Sequence, residues 1–466
     1  MVANEGLEQA AFFLPDPESL KETNNGIQKK NTCCLFYTLH FIKSRDKSPR
    51  HKYAPGLILS TIPRHHQKRN SVKKEAFAIA HLRETLNPVA HRILGIDAAA
   101  NEIGCRPEVF AQAYRFLKVH AKKSDNEPIL QEGIVLPKLG ATYHVGEDFL
   151  DIIDGLRAID ESVKFLNLTH GDRIGHALAL GIDAWDWYRS KNKVLFLPMH
   201  DILDNTVWML SKIREFNLTG YENLYYELES TFSTLFYEIY ENNFNANFIK
   251  QQYYRFDHNV FYGAWKLRGD NPELYSSGDF QEQTPFSFWE RCHTNHFSSD
   301  KSTRKNRNAA FLYHCYHYNP CVKDTGNKQY ELIITDDYIK ATVDIQTAMQ
   351  LYVRDKGISI ETNPTSNYHI GTFKRYDKHP IINLYNLGLE TDPEKINKCA
   401  QLSVSINTDD QGVFDTYLEN EYSLMALALE KAKDVHGNKL YNSAMIYDWL
   451  ERIRQMGLEQ SFCANV

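Results

Sequence analysis

Short apolar runs alternate with longer amphipathic segments in the first part of the chain. Runs of this length predict buried strands, and they lie at residues 34–42, 92–97, 140–145 and 172–175. The amphipathic segments predict helices, at residues 70–87, 106–122 and 148–162. Strand followed by helix, repeated several times, indicates a parallel α/β sheet or barrel.

The pattern breaks off near residue 190 and resumes near 357. Two further strands are predicted at 358–361 and 402–406, and a helix at 418–433. Between them the chain is rich in Tyr, Phe, Asn and Gln, which predicts a large, mostly helical insertion. Its aromatic residues either form the core of that insertion or belong to an oligomer or partner interface. We therefore divide the chain into residues 1–189, 190–350 and 351–466.

Composition narrows the class of protein. The chain has 466 residues, 42% of them hydrophobic, and a net charge of −6, which argues against a general nucleic-acid binder. No apolar run approaches the roughly 18 residues of a membrane span, and the N-terminus lacks the pattern of a signal peptide. Eight scattered cysteines form no Cys-x-x-Cys pair. These features predict a cytoplasmic protein without a membrane partner.

One basic segment interrupts this ordinary composition. Residues 44–74 contain nine Lys or Arg and one acidic residue, Asp46, before Glu75. Such a stretch is either a solvated surface or a contact for phosphate or nucleic acid.

The polar residues with the clearest chemistry follow predicted strands. Asp409 and Asp410 come directly after the strand at 402–406, His144 and Glu147 end the strand at 140–145, and His176 ends the strand at 172–175. Because the active sites of α/β barrels are built at the carboxyl ends of their strands, these side chains are expected to converge. Imidazole and carboxylate groups together suggest a metal-assisted hydrolase.

Several motifs, in order along the chain, resemble those of the adenosine deaminase family. They are His144-Val145-Gly146-Glu147, Gly175-His176 and Asn407-Thr408-Asp409-Asp410, supported by the stretches 95–102 and 361–367. The resemblance implies a (β/α)₈ TIM-type barrel with one catalytic Zn²⁺ and deamination of adenosine or an adenine nucleotide. The large insertion further resembles the deaminase subunit of the RADAR anti-phage defence system. That resemblance implies a homo-oligomer and an ATPase partner protein, and RNA stays open as a partner.

The resemblance also implies a role for each site residue. His144 and Asp409 would be metal ligands, and Asp409 would also contact the attacking oxygen. Glu147 would be the catalytic acid that protonates the purine, with a pKa raised by burial. His176 would be catalytic by orienting and deprotonating the attacking water. Asp410 would bind the base.

The chain departs from the family pattern at its first strand. The family takes two zinc ligands from a His-x-His there, and none of the 19 histidines is followed two positions later by another. We therefore expect an incomplete barrel that lacks this strand, with two further His ligands from outside the chain. Ala100 stands where the family has a glycine beside the purine, so its methyl group is expected to affect substrate binding.

These features leave three readings. The first is a zinc-dependent adenosine deaminase. The second is a catalytically inactive deaminase-like scaffold subunit of a defence complex. The third is an amidohydrolase acting on another amine, against which the Asp-Asp pair and the His-x-Gly-Glu motif argue.

Overall fold

Parallel strands linked by helices carry the polar motifs. The computed structural model describes residues 36–46, 62–84, 90–120, 138–244, 256–295, 301–371 and 373–462. Its strands are β1 Tyr37–Lys43, β2 Ile93–Ala100, β3 Gly140–Ala141, β4 His144–Val145, β5 Arg173–His176, β6 Val194–Pro198, β7 Gln329–Ile333, β8 Ser359–Thr362 and β9 Val404–Ile406. Each predicted strand has an observed counterpart. Residues 34 and 35 of the first predicted strand lie outside the described residues.

The strands form a parallel array in the order β1-β2-β3 and β4-β5-β8-β9. Only residues 142 and 143 separate β3 from β4, so the two sheets share one interrupted strand. In the ladders, His40 lies opposite Asp97 and His144 lies opposite Gly175. This register brings the polar strand ends to one edge. The sheets are compatible with part of a (β/α)₈ barrel, and closure of the barrel stays a prediction.

Helices account for most of the remaining described residues. Their bounds are α1 His66–Glu84, α2 Ala111–Val119, α3 Ile152–Phe165, α4 Ala184–Ser190, α5 Met199–Glu215, α6 Glu222–Ile239, α7 His258–Lys266, α8 Phe288–Arg291, α9 Lys301–Arg304, α10 Arg307–Tyr318, α11 Pro320–Gly326, α12 Asp336–Asp355, α13 Pro364–Ile370, α14 Ile381–Leu384, α15 Pro393–Lys398, α16 Gln411–Phe414, α17 Leu418–Lys431 and α18 Ser443–Glu459. The four predicted helices correspond to α1, α2, α3 and α17. Residues 85–87 and 121–122, at the ends of two predictions, lie outside the described part.

The segment predicted as an insertion is mostly helical between β6 and β7. These two strands pair antiparallel, in contrast to the parallel array. Phe236 and Tyr240 of this segment stack with ring centres 5.2 Å apart, and both are buried with Phe232 and Phe261. These aromatic side chains belong to the same hydrophobic cluster as the buried residues of the strands. The predicted boundary at residue 350 falls inside α12, and the division into domains stays a prediction.

None of the described helices is both long enough and apolar enough to span a membrane.

The C-terminal end of the described chain packs against the glycines of two neighbouring strands. Gly95 and Gly140 pair in the ladder between β2 and β3, and the Phe462 ring lies against both. The Arg173 guanidinium lies 3.7 Å from the centre of the same ring and donates a hydrogen bond to the Gln460 carbonyl. The two glycines thus leave the space that the Phe462 ring fills.

Replacing Gly95 by Ala is expected to lower the free energy of unfolding by about 1–3 kcal/mol. A Cβ at this position would lie 2.6 Å from the Phe462 ring, so the ring or the strand has to shift. The matched control is Gly457→Ala in α18, whose Cβ would meet Ser405 at an ordinary 3.4 Å. Because Ala has the higher helix propensity, this variant is expected to gain up to about 1 kcal/mol. Urea unfolding of both variants measures the contrast, and equal effects would contradict the packing described.

Candidate metal centre at the strand ends

Three potential metal ligands converge where β4, β5 and β9 end. One ligand atom each of His144, His176 and Asp409 lies within 4.8 Å of the others. The Nε2 of His144 is 4.0 Å from Asp409 Oδ1, and the Nε2 of His176 is 3.8 Å from Asp409 Oδ2. The structure therefore brings together side chains that are separated by up to 265 positions in the sequence (409 minus 144).

A buried carboxylate holds the His144 ring. Asp97 is fully buried, and its Oδ2 lies 2.8 Å from His144 Nδ1. Burial alone would lower the pKa of His144, but the Asp97 charge outweighs it and raises the pKa to about 9. The same oxygen of Asp97 is 3.2 Å from Nδ1 of His40, a half-exposed residue of β1. With Nδ1 facing Asp97, the Nε2 of His144 faces Asp409. A carboxylate that does not itself bind the metal commonly orients a metal-binding histidine in this way.

An amide side chain holds the other histidine and the acidic residue. The Nδ2 group of Asn367 donates to Glu147 Oε1 over 2.5 Å and lies 2.8 Å from His176 Nδ1. The Oδ1 of Asn367 accepts a hydrogen bond from the Asn363 backbone N–H at 3.0 Å, which fixes the direction of the amide. The amide hydrogens therefore face His176 and Glu147. In this arrangement His176 Nδ1 accepts, so the ring proton of neutral His176 lies on Nε2, toward Asp409.

The ionisation of Glu147 differs from the expectation for a buried acid. Burial by itself raises the pKa of a carboxyl group, which is the effect expected for Glu147 from the sequence. However, nearby His176 and the hydrogen bond from Asn367 outweigh burial, and the pKa of Glu147 is lowered. In the free protein Glu147 is thus held as a carboxylate. Its role as a proton donor requires that it first gains a proton.

His379 completes this hydrogen-bond chain from behind. Its Nδ1 accepts from the Ile381 backbone N–H, and its Nε2 donates to Asn367 Oδ1, each over 3.1 Å. His379 is 1% exposed, and burial lowers its pKa to about 3. The neutral ring therefore supports the orientation of Asn367.

This histidine predicts an acid-sensitive stability. Its folded pKa of about 3 lies below its unfolded value of about 6.5, so the unfolded chain gains a proton first as the pH falls. The stability that the neutral His379 ring contributes to the folded state is fully present above pH 6.5. It is lost at about 1.4 kcal/mol per pH unit as the pH falls from 6.5 toward 3. Urea unfolding at several pH values should give a shallower slope for His379→Asn than for the wild type. The exposed control His436→Asn should keep the wild-type slope, and identical slopes for all three proteins would contradict the prediction.

Backbone strain accumulates among the site residues. Ala100, His176 and Asp409 have φ angles of +78°, +68° and +57°, in the region that favours glycine. Strained non-glycine residues are typical of functional sites, where the surrounding fold enforces the conformation. Gly146 has φ +81°, and a side chain there would meet Ile159 at 2.9 Å. This glycine lets the chain turn between His144 and Glu147, so both face the same site.

The remaining predicted site residues line the same cavity of about 800 Å³. Ala100 lies at its wall, at the end of β2. Asp410 also lines it and caps α16, because its Oδ1 accepts from the backbone N–H groups of Gly412 and Val413. A volume of this size is within the usual range of about 300–1,000 Å³ for small-molecule sites. The site residues named from the sequence thus surround one cavity, and their roles stay predictions.

Residues 336–455 match the model of the adenosine deaminase family. The matched segment contains β8, β9, Asn367 and the pair Asp409 and Asp410, whereas His144, Glu147 and His176 lie before it. The match supports a relationship of this chain to the adenosine deaminase family, and with it hydrolysis of the deaminase type. No curated protein matches the chain.

Three side chains that organise this site were not predicted from the sequence. Asp97 and Asn367 stand in the two stretches that supported the resemblance, 95–102 and 361–367, but they were given no role. His379 follows no motif, and only the folded chain shows that it reaches Asn367. His40 is exposed on the face of β1 opposite to the buried Phe41 and Lys43, and it lines the same cavity.

Proposed function

We propose that this chain catalyses zinc-dependent hydrolytic deamination of adenosine or an adenine nucleotide. The observation that carries the proposal is the convergence of His144, His176 and Asp409 beside Glu147, in a cavity at the carboxyl ends of parallel strands. The family match at residues 336–455 supports the reaction class.

The donor groups fit a zinc ion. His144 would bind it through Nε2, because Nδ1 faces Asp97, and Asp409 would bind it through its carboxylate. Imidazole nitrogen and carboxylate oxygen are usual zinc ligands. Because Asp97 raises the pKa of His144 to about 9, the ring would give up its Nε2 proton on binding zinc. A bound Zn²⁺ would act as a Lewis acid that makes water nucleophilic at neutral pH.

The protein side chains would then move the protons. His176, with its proton on Nε2, is placed to orient the attacking water near Asp409. The water oxygen adds to C6 of adenine while N1 takes a proton. Of the two water protons, one replaces the proton given to N1 and the other passes to the amino group, so that the C6–N bond breaks to release ammonia. Glu147 would carry the proton for N1, after the base displaces water and burial outweighs the groups that keep it ionised.

The base would lie against the strand ends. Asp410 uses Oδ1 to cap α16, which leaves Oδ2 to accept a hydrogen bond from the purine. Ala100 would contact the ring edge through its methyl group. A role in anti-phage defence, a homo-oligomer and an ATPase partner belong to the same proposal and follow from the resemblance alone.

A catalytically inactive scaffold is the second candidate. It is favoured by one observation: among the described residues, only two imidazoles and one carboxylate form the metal cluster. Retention of Glu147 and of the amide that orients it favours the enzyme, because a scaffold needs neither.

Incubation of the purified chain with zinc and either adenosine or adenosine triphosphate tests the proposal. We expect release of ammonia in equal amount to the inosine product, detected by mass spectrometry. Zinc bound in stoichiometric amount without product from either substrate would favour the scaffold. Turnover by the purified chain would also show that the two further histidine ligands expected from the family pattern are not needed.

A further inference from the structure

A second cavity, of about 330 Å³, lies beside the candidate metal centre. Part of the basic segment 44–74 folds back to line it, and the rest of its wall includes residues from the helical region. We call it the basic pocket after the part of its wall that is formed by Arg45, Arg64, His65, Arg268, Tyr316 and Lys323. The carboxylates in its wall are those of Asp46, Glu102, Asp148, Asp154, Asp201 and Asp204. Residues 47–61 of the basic segment lie outside the described chain.

Two of the guanidinium groups in the basic pocket lack a carboxylate partner. Arg45 Nε donates to the Ile103 carbonyl over 3.2 Å, and Arg64 Nε donates to the Tyr316 carbonyl. Neither has an acidic side chain within 4.0 Å in the described part of the chain. By contrast, Arg268 is paired with Asp204 and Lys323 with Asp46. The positive charge of Arg45 and Arg64 is therefore available to a ligand.

Two buried polar atoms in the same wall also lack partners. His65 is 7% exposed, and its Nδ1 has no hydrogen-bond partner among the described residues. The buried Nη2 of Arg64 has none either. Unpaired buried polar groups are rare in folded proteins and call for an explanation. An acceptor bound in the pocket would supply the missing hydrogen bonds.

The surrounding groups hold the Arg64 guanidinium in place. Arg64 and Arg268 lie 4.3 Å and 3.9 Å from the centre of the Tyr316 ring. Helix α1 begins at His66, directly after two lining residues, and has no acidic residue in its first turn. Its N-terminus adds partial positive charge. The Asp46 carboxylate in the same wall already accepts from the His65 backbone N–H and pairs with Lys323.

We propose that the basic pocket binds a phosphate group through Arg45, Arg64 and His65. A guanidinium fork matches two oxygens of a phosphate, which explains why arginine rather than lysine lies at the unpaired positions. The phosphate has two sources. It belongs either to a nucleotide whose base occupies the neighbouring cavity or to a separate phosphate-bearing molecule. The two cavities share Glu102 and Asp148 in their walls, so one ligand could reach both. The first source rests on the proposed deaminase function, and the second does not.

Calorimetric titration of the full chain with tripolyphosphate tests the pocket, with ionic strength held constant by sodium chloride. We expect saturable binding that Arg64→Gln and Arg45→Gln each weaken about tenfold or more, since each removes a charged hydrogen-bonding group. Arg64→Lys keeps the charge without the fork and should bind with intermediate affinity. The control Arg189→Gln removes an exposed arginine paired with Asp186 on α4 and should bind as the wild type does.

Two results would overturn the proposal: no saturable binding to the wild type, or equal binding by the Arg45, Arg64 and Arg189 variants. Thermal melting shows whether each variant folds. Arg45 is exposed at the rim, so Arg45→Gln carries the test if Arg64→Gln unfolds.

The two sources are separated by adding adenosine and adenosine triphosphate to the same titrations. If the phosphate is that of the substrate, the triphosphate competes with tripolyphosphate, and Arg64→Gln weakens binding of the triphosphate but not of adenosine. If it is that of a separate molecule, tripolyphosphate binds equally well with adenosine triphosphate present. Phosphate binding without any deamination would refute the proposed function and leave the basic pocket intact.

Discussion

Replacing Glu147 by Gln is expected to lower the rate of deamination by about 10²- to 10⁴-fold. The amide keeps the size of the side chain and can still contact Asn367 and His176, but it cannot pass a proton to the purine. Because Glu147 lies beside the metal ligands without being one in the proposed site, zinc content should stay the same. Steady-state kinetics and metal analysis of the same preparation measure both effects.

The exposed neighbour Asp148 supplies the control for this variant. Asp148→Asn removes a carboxylate from the wall of the same cavity without touching His176 or Asn367. It should retain most of the activity. If the two variants lost activity equally, or if Glu147→Gln lost its zinc, the assignment of Glu147 as the proton carrier would be wrong.

Asp97→Asn is expected to weaken zinc binding about 10- to 100-fold, the usual effect of removing a carboxylate that orients a metal-binding histidine. Without the charge of Asp97, burial lowers the pKa of His144, and the ring loses the partner that directs its Nε2 to Asp409. Competition with a chromophoric chelator gives the affinity of each variant.

Asp172→Asn is the matched control, because Asp172 is equally buried and forms an ion pair with Lys118 at the opposite end of β5. Breaking a buried ion pair of this kind destabilises the fold. This variant should therefore unfold more easily and bind zinc as tightly as the wild type. Weaker zinc binding by both variants would show that the loss follows from general instability.

The parallel strands and the residues at their ends could be predicted from the sequence. Apolar runs such as 92–97 and 402–406 mark buried strands, and the parallel arrangement forces Asp409 and His144 to the same edge. For this part of the fold, the apolar runs and the rule that parallel strands end at the same edge of a sheet were sufficient.

The interactions that tune the site could not be predicted in the same way. The pKa of Glu147 depends on an amide 220 residues away, whose direction depends in turn on the Asn363 backbone and on His379. Burial, the one factor that the sequence indicates, predicts a raised pKa for Glu147, whereas the folded protein lowers it. The fold of residues 64 and 65 against the strand ends is likewise a matter of tertiary contacts, which composition alone does not specify.

Anomalous diffraction at the zinc edge, from crystals of the full chain grown with Zn²⁺, tests the central claim most directly. The account predicts one strong peak about 2.0–2.2 Å from His144 Nε2 and from an Asp409 oxygen. Well-ordered crystals with no peak at this position, or with zinc bound only elsewhere, would contradict it.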